Sequence, residues 1–294
     1  GGTLGDSFTI DGQSTLVGSI SDLGGGDVVT LESNGLGSGG TVGGGISTGA
    51  EADIVRIEDD ATVIGIIDTG AGDDLVEISY DGGTTRTLTL NLGAGNDDLQ
   101  LDGSDVTATV DYSVGPGSDQ GSVVTAIAAN TQRVNFSGLS TVGNGRLIDR
   151  QDGSLINING SSGADIITVR DGLQNISFFT EVDFNGAFAP IQFQNKMRAV
   201  VNGMGNADTI TLNNPQTATA LLFTNINGGD GNDTINAQVD HNGDVNGGAG
   251  DDSYVWGQGW GRDSITDAEG NDRLGLFQDL GGGFNSAIMA SASL

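Results

Sequence analysis

Apolar and polar residues alternate at period two in short runs along the chain, and most of these runs follow a glycine-containing stretch that closes on aspartate. "DSFTI" begins at Asp6, "DVVTL" at Asp27, "DIVRI" at Asp53, "DLVEI" at Asp74 and "DDLQL" at Asp97. "DIITV" follows at Asp165, "DTITL" at Asp208, "DTINA" at Asp233, "DSYVW" at Asp252 and "DRLGL" at Asp272. A second set falls between these, with "TLVGSI" at Thr15, "TVIGII" at Thr62, "TLTLNL" at Thr87, "TATV" at Thr107 and "ALLFTNI" at Ala220. Alternating Val, Ile, Leu and Thr is the signal of a strand with one buried face, and no stretch sustains the helical period.

The spacing turns these strands into an architecture. Successive aspartates from Asp6 to Asp97 lie 21, 26, 21 and 23 residues apart. The 68 residues to Asp165 divide into three if Asp119 in "GPGSD" and Arg146 in "GNGRL" are degenerate copies, and the 43 residues to Asp208 divide into two near Asn185 in "NGAFA". Two strands per unit, joined by glycine-rich turns, predict an all-β fold: a parallel β-solenoid of about a dozen coils, each covering the apolar face of its neighbour. Asp233, Asp244, Asp252, Asp263 and Asp272 are only 11, 8, 11 and 9 residues apart, so here both edges of the coil carry the motif. The expected organisation is a one-sided, partly degenerate solenoid over 1–224, a two-sided roll over 225–280, and a tail over 281–294. That tail is uncharged and reads as an export signal, a cap or an assembly strand.

Composition narrows the function. With 52 glycines and 5% aromatic residues the chain lacks the bulky core of an ordinary globular enzyme. A net charge of -29, from 39 acidic against 10 basic residues, repels phosphate backbones and anionic lipid, which argues against nucleic-acid binding and membrane insertion. It also makes the folded state repel itself, and cations are the obvious remedy. There is no cysteine, and His241 is the only imidazole, so zinc is poorly served.

In "GGDGND", residues 228–233, glycines supply the backbone angles of a tight reversal, and the closing aspartate adds a carboxylate to a row of carbonyl oxygens. Oxygen-rich gaps between stacked turns suit calcium, which takes 6 to 8 oxygen ligands in adaptable geometry, better than magnesium. A single such turn needs no metal, since Gly, Asn and Asp favour turns anyway. Copies around Asp6, Asp27, Asp53 and Asp119 read as plain turns.

"GGDGNDTIN" and "GGAGDDSYV" resemble the nonapeptide pattern of the RTX (repeats-in-toxin) calcium-binding family, and "GDDSYVWGQGWGRDSITDAEGNDRLGLF" resembles that family's extended terminal repeat. "LGAGNDDL", "TGAGDDLV", "NGSSGADII" and "NGMGNADTI" match less closely. The resemblance implies a β-roll folded by calcium, type I secretion and an extracellular setting. By motif position it implies ligands from the side chains of Asp233, Asp252, Asp263 and Asp272, with carbonyls of Gly228, Asp230, Gly247 and Ala249 nearby. Asp74, Asp97, Asp165 and Asp208 form a second tier.

Other residues carry less. His241 in "DHNGD" reads as a solvated turn residue rather than a base, and Trp256 and Trp260 as packing rather than a sugar platform. Lys196 and Arg198 read as ion-pairing residues. The expectation is therefore a secreted, non-enzymatic calcium-binding structural protein: a subunit or segment of a surface layer, filament, matrix or adhesin. Its expected partners are calcium, copies of itself and, as a further candidate, surface polysaccharide. The alternatives are the repeat region of a larger secreted enzyme or toxin, and a carbohydrate- or ice-binding solenoid.

Overall fold

The computed structural model describes residues 4–21, 24–35, 37–140, 145–172, 179–213, 221–237, 243–256, 264–267, 269–278 and 285–290. Among them there is no helix, and the strands assemble mainly into long parallel ladders. The chain divides into two compact units, the first formed by residues 1–154 and 186–191, the second by 155–185 and 192–294.

In the first unit the strands that follow the turn aspartates stack in parallel: Ser7–Ile10, Val28–Leu31, Ile54–Ile57, Leu75–Ser79, Asp98–Asp102 and Arg146–Asp149. The register is in step, so Phe8, Val29, Val55, Val76, Leu99 and Leu147 form one column. From Val29 onward every member of that column is fully buried. Each such side chain contributes about 1.5–3 kcal/mol on leaving water. A one-residue slip would turn the whole column to solvent, which fixes the register.

The intervening runs form their own sheet. Ile46–Ser47, Ile66–Asp68, Arg86–Asn91 and Asn130–Ser137 pair in parallel. Asn130–Ser137, Gly121–Ile127 and Thr109–Val114 then pair antiparallel, as a meander. Asp119 consequently lies in a hairpin link, where Gly115 N–H donates to the Gln120 carbonyl at 2.8 Å, and starts no further parallel coil. Period-two alternation serves either pairing direction, and a short link favours the antiparallel one. Arg146 does open a parallel strand, as its spacing suggested.

In the second unit Ile166–Asp171, Thr209–Asn213, Thr234–Ala237, Ser253–Trp256 and Arg273–Gln278 stack in parallel. Their partner runs, Lys196–Gly205, Phe223–Asp230, Asp244–Ala249 and Ser264–Thr266, do the same. Thr180–Asp183 pairs antiparallel with Ile166–Asp171, and Asn185 takes φ 53 in the turn that follows, so the expected coil near Asn185 is a reversal instead. Asn285–Ala290, in the tail, pairs antiparallel with Arg273–Gln278. Asn202 Nδ2 donates to Asn159 Oδ1 and Asn227 Nδ2 to Asn202 Oδ1, both at 2.7 Å, forming a side-chain ladder just ahead of the turns.

Candidate metal centre

Each turn aspartate is held by the same contact. The carboxylate Oδ1 of one accepts the backbone N–H of the aspartate in the preceding turn: Asp27 from Asp6, Asp53 from Asp27, Asp74 from Asp53 and Asp97 from Asp74. In the second unit Asp208 accepts from Asp165, Asp233 from Asp208, Asp252 from Asp233 and Asp272 from Asp252. These bonds are 2.6 to 2.9 Å long. Bonds to a charged acceptor are worth about 1.5–3 kcal/mol each. Asp27 and Asp53, which look like plain turn residues in sequence, thus belong to the ladder and are 1% exposed.

Only one oxygen of each carboxylate is used. The Oδ2 atoms of Asp27, Asp53, Asp74, Asp97, Asp208, Asp233 and Asp252 are buried without a hydrogen-bond partner. A buried anionic oxygen left unpaired costs several kcal/mol unless it is neutralised. Burial pushes the Asp97, Asp208 and Asp252 carboxyls up to about 6 from 3.8, and raises Asp74 and Asp233 as well. Neighbouring carboxylates add to the rise at Asp97, Asp208 and Asp252.

What surrounds these oxygens differs between the units, and the first residue of each turn decides it. In the second unit Gly203, Gly228 and Gly247 begin the turns that end at Asp208, Asp233 and Asp252. A Cβ on Gly228 would overlap Asp233 Oδ2 and the Gly247 carbonyl oxygen; one on Gly203 would overlap Asp208 Oδ2 and the Gly228 carbonyl oxygen. With no Cβ in the way, one unpaired carboxylate oxygen and one carbonyl from the next turn pack together against the glycine backbone. Within the reversal, Gly229 at φ 114 and Gly231 at φ 133 take left-handed angles that Met204 and Asn206 adopt in the preceding turn.

In the first unit the same position is filled. Thr48, Thr69 and Leu92 start the turns ending at Asp53, Asp74 and Asp97, and all three are fully buried. Thr48 Oγ1 donates to the Thr69 carbonyl at 3.1 Å and Thr69 Oγ1 to the Leu92 carbonyl at 2.8 Å, contacts that the glycines of the second unit cannot make.

The remaining sequence candidates fall as follows. Asp165 has a local partner: its Oδ2 accepts Ser161 N–H at 2.7 Å, and the Ser161 hydroxyl stands 3.1 Å from both oxygens. Asp230 is exposed, opposite Ala249 in the ladder, and the Ala249 carbonyl accepts from Gly231 N–H at 2.7 Å. Asp272 is 9% exposed and belongs to the ladder. Asp263, His241 and Trp260 lie outside the described residues, as does the side chain of Trp256. On the second edge Asp244 N–H donates to Asn225 Oδ1 at 3.3 Å, and the Ser264 hydroxyl donates to Asp244, which is exposed. Lys196 is buried with Nζ 3.3 Å from the Gln194 carbonyl, and the Arg198 guanidinium lies 5.5 Å over the Phe223 ring. Asp267, absent from the sequence candidates, lies with Asp252 and Asp272, one carboxylate oxygen of each within 4.8 Å of the others. Aligning residues 267–272 on 247–252 would have pointed to it, because it stands where the turn otherwise has glycine.

The metal-free ladder has a defined pH dependence. Carboxyls whose folded value lies above 3.8 bind more protons folded than unfolded, so stability rises as pH falls through about 6 and the gain is complete below the unfolded value. In chelator the urea midpoint should be higher at about pH 5 than at about pH 8. In saturating calcium the order should reverse, because the ion requires the ionised carboxylates. Equal midpoints at both pH values in chelator would contradict the burial of these groups.

The fold and site define an all-β protein of parallel ladders with buried carboxylates at its turns. No family model, curated protein or solved structure matches the chain, so the likeness to RTX repeats rests on the motif residues alone.

Proposed function

We propose that the chain is a calcium-folded β-solenoid of the RTX type with a structural role outside the cell, as a subunit or segment of a surface layer, filament, matrix or adhesin. The observation that carries this reading is the row of unpartnered Oδ2 atoms on Asp208, Asp233 and Asp252, the first two packed with a carbonyl oxygen of the next turn against a glycine that has no Cβ to part them. Hard oxygen donors, anionic and neutral, in a flexible turn are the ligand chemistry of calcium. A site filled at 100 times its Kd adds about 2.7 kcal/mol to the folded state. Three such sites together approach the 5–15 kcal/mol that is the whole stability of a typical domain. Without calcium the unpaired carboxylates of Asp208, Asp233 and Asp252, within a net charge of -29, oppose packing of their turns, so the second unit loosens where the ion is scarce and folds where it is plentiful.

Assembly is supported at the first strand of the first unit. Phe8 and Leu16 are 41% and 37% exposed, whereas their ladder partners Val29 and Val42 are fully buried, so the end of the column is open to a further strand. In this reading the occupant is a strand of a second copy of this chain, added by backbone pairing at the open edge.

Calcium titration followed by circular dichroism should show strand signal appearing cooperatively. Asp233→Ala with Asp252→Ala should raise the calcium midpoint by at least about tenfold, and Asp230→Ala by less than about twofold. Full strand signal in excess chelator, or equal effects of the double substitution and of Asp230→Ala, would overturn the metal-coupled reading. Sedimentation with and without calcium checks assembly, and a monomer under both conditions would remove it.

A further inference from the structure

The last turn, which ends at Asp272, begins with Asp267 where the turns ending at Asp208, Asp233 and Asp252 begin with glycine. Asn246 pairs with Thr266 and Ala249 with Glu269, which sets Asp267 against Gly247 in the ladder. Where the earlier turns have a glycine, this one has a third carboxylate. One oxygen each from Asp252, Asp267 and Asp272 come within 4.8 Å of one another, the one such group among the described residues.

Proximity of acids is not by itself a site, and a second observation supplies the reason for one. Asp252 is 1% exposed and its Oδ2 has no partner; Asp267 Oδ1 is likewise buried and unpartnered. A Cβ on Gly247 would overlap both Asp252 Oδ2 and the Tyr254 hydroxyl, so these two atoms pack side by side against the Gly247 backbone. The Tyr254 hydroxyl donates to Asp267 Oδ2 at 2.6 Å, which fixes the carboxylate with its other oxygen free. Tyr254 is itself 1% exposed. Three carboxylates are thus held together by packing, an amide and a phenol, and Asp233 adds to the negative charge acting on Asp252.

We propose that Asp252, Asp267 and Asp272 form a distinct cation site, the tightest in the protein and the first to fill, which takes a hard ion of charge two or three and pins the last turn to the one before it. This rests on the calcium reading above and adds to it. The upstream turns offer one unpaired carboxylate oxygen and a carbonyl, as at Asp233 and Gly247. Affinity of an oxygen site grows with the number of charged ligands, and the gain is larger for a trivalent than a divalent ion. Because the ion bridges residues from two successive turns, its binding resists opening of the final coil.

Terbium serves as the probe, with Tyr254 as its antenna, since the phenol oxygen touches a proposed ligand. Titration of the full chain with terbium should give tyrosine-sensitised emission that saturates at the first equivalent and is displaced by calcium. Tyr254→Phe should remove most of that emission and, because it also releases the Asp267 carboxylate, weaken the first ion measured by calorimetry. Asp267→Asn, and Asp267→Gly, which restores the residue of the earlier turns, should each weaken the first site for terbium and calcium by at least about 30-fold. First-site affinity within about threefold of wild type in Asp267→Gly, or sensitised emission unchanged in Tyr254→Phe, would overturn the site. If calcium induces strand signal in the wild type while the Asp267 variants bind as wild type does, this site fails and the general calcium reading stands. If calcium induces no structure in the wild type, the general reading fails with it.

Discussion

Chelating calcium should accelerate amide hydrogen exchange at Asp208, Asp233 and Asp252 by at least about 100-fold and leave Asp53 and Asp74 within about threefold of their calcium-loaded rates. All five amides donate to carboxylates of the same kind of ladder or close it, so hydrogen bonding alone gives no reason for a difference. The difference lies at the start of the turn. At Gly203, Gly228 and Gly247 the unpaired Oδ2 packs against a glycine, and in the proposed reading an ion held by that oxygen stabilises the turn. Thr48 and Thr69 place a side chain at that position and satisfy the facing carbonyls themselves. Those turns have nothing to lose to the chelator. At Asp97, where Leu92 takes the first position, burial raises the carboxyl to about 6. Uniform acceleration across both units would show that the first turn residue does not govern metal dependence.

Gly228→Ala and Gly247→Ala should each lower calcium affinity at the affected turn by about 100-fold, about 2.7 kcal/mol. Neither glycine has a left-handed backbone angle, so alanine meets no φ penalty, and the effect isolates the added methyl itself. The new methyl of Gly228→Ala lies against Asp233 Oδ2, which can swing away, and against the Gly247 carbonyl, which is backbone and cannot without moving the next turn. The ion's two nearest ligands are therefore displaced together. At Gly247 the methyl meets Asp252 Oδ2 and the Tyr254 hydroxyl, so this substitution also perturbs the last turn. Calorimetric titration of each variant against wild type reads the change directly. Affinities within about threefold of wild type would mean that the ions, if bound, sit elsewhere.

Much of this was open to reading in the sequence, for a physical reason. A strand with one buried face must alternate, so "DIVRI" and "DLVEI" announce Val55, Ile57, Val76 and Ile78 as core without knowledge of their neighbours. Tight reversals need left-handed angles, so glycines ahead of Asp74, Asp97, Asp233 and Asp252 announce the turns. The direction of pairing was not legible between Asp97 and Asp165, where residues 109–137 alternate as well as any coil yet fold as a meander.

The aspartates show the same division at atomic scale. Asp165 and Asp208 look alike in their motifs, but Ser161 satisfies Asp165 and nothing satisfies Asp208 Oδ2. Asp27 and Asp53 look dispensable, but stacking buries them. The sequence alone determined the strands, the turns and the supply of carboxylates, because backbone angle and side-chain alternation are local properties. Which carboxylate oxygens are left unpaired, and that Asp267 stands beside Asp252 and Asp272, only the tertiary structure decided. Those facts depend on what the adjoining turn, some 20 residues away in the chain, places within hydrogen-bonding reach.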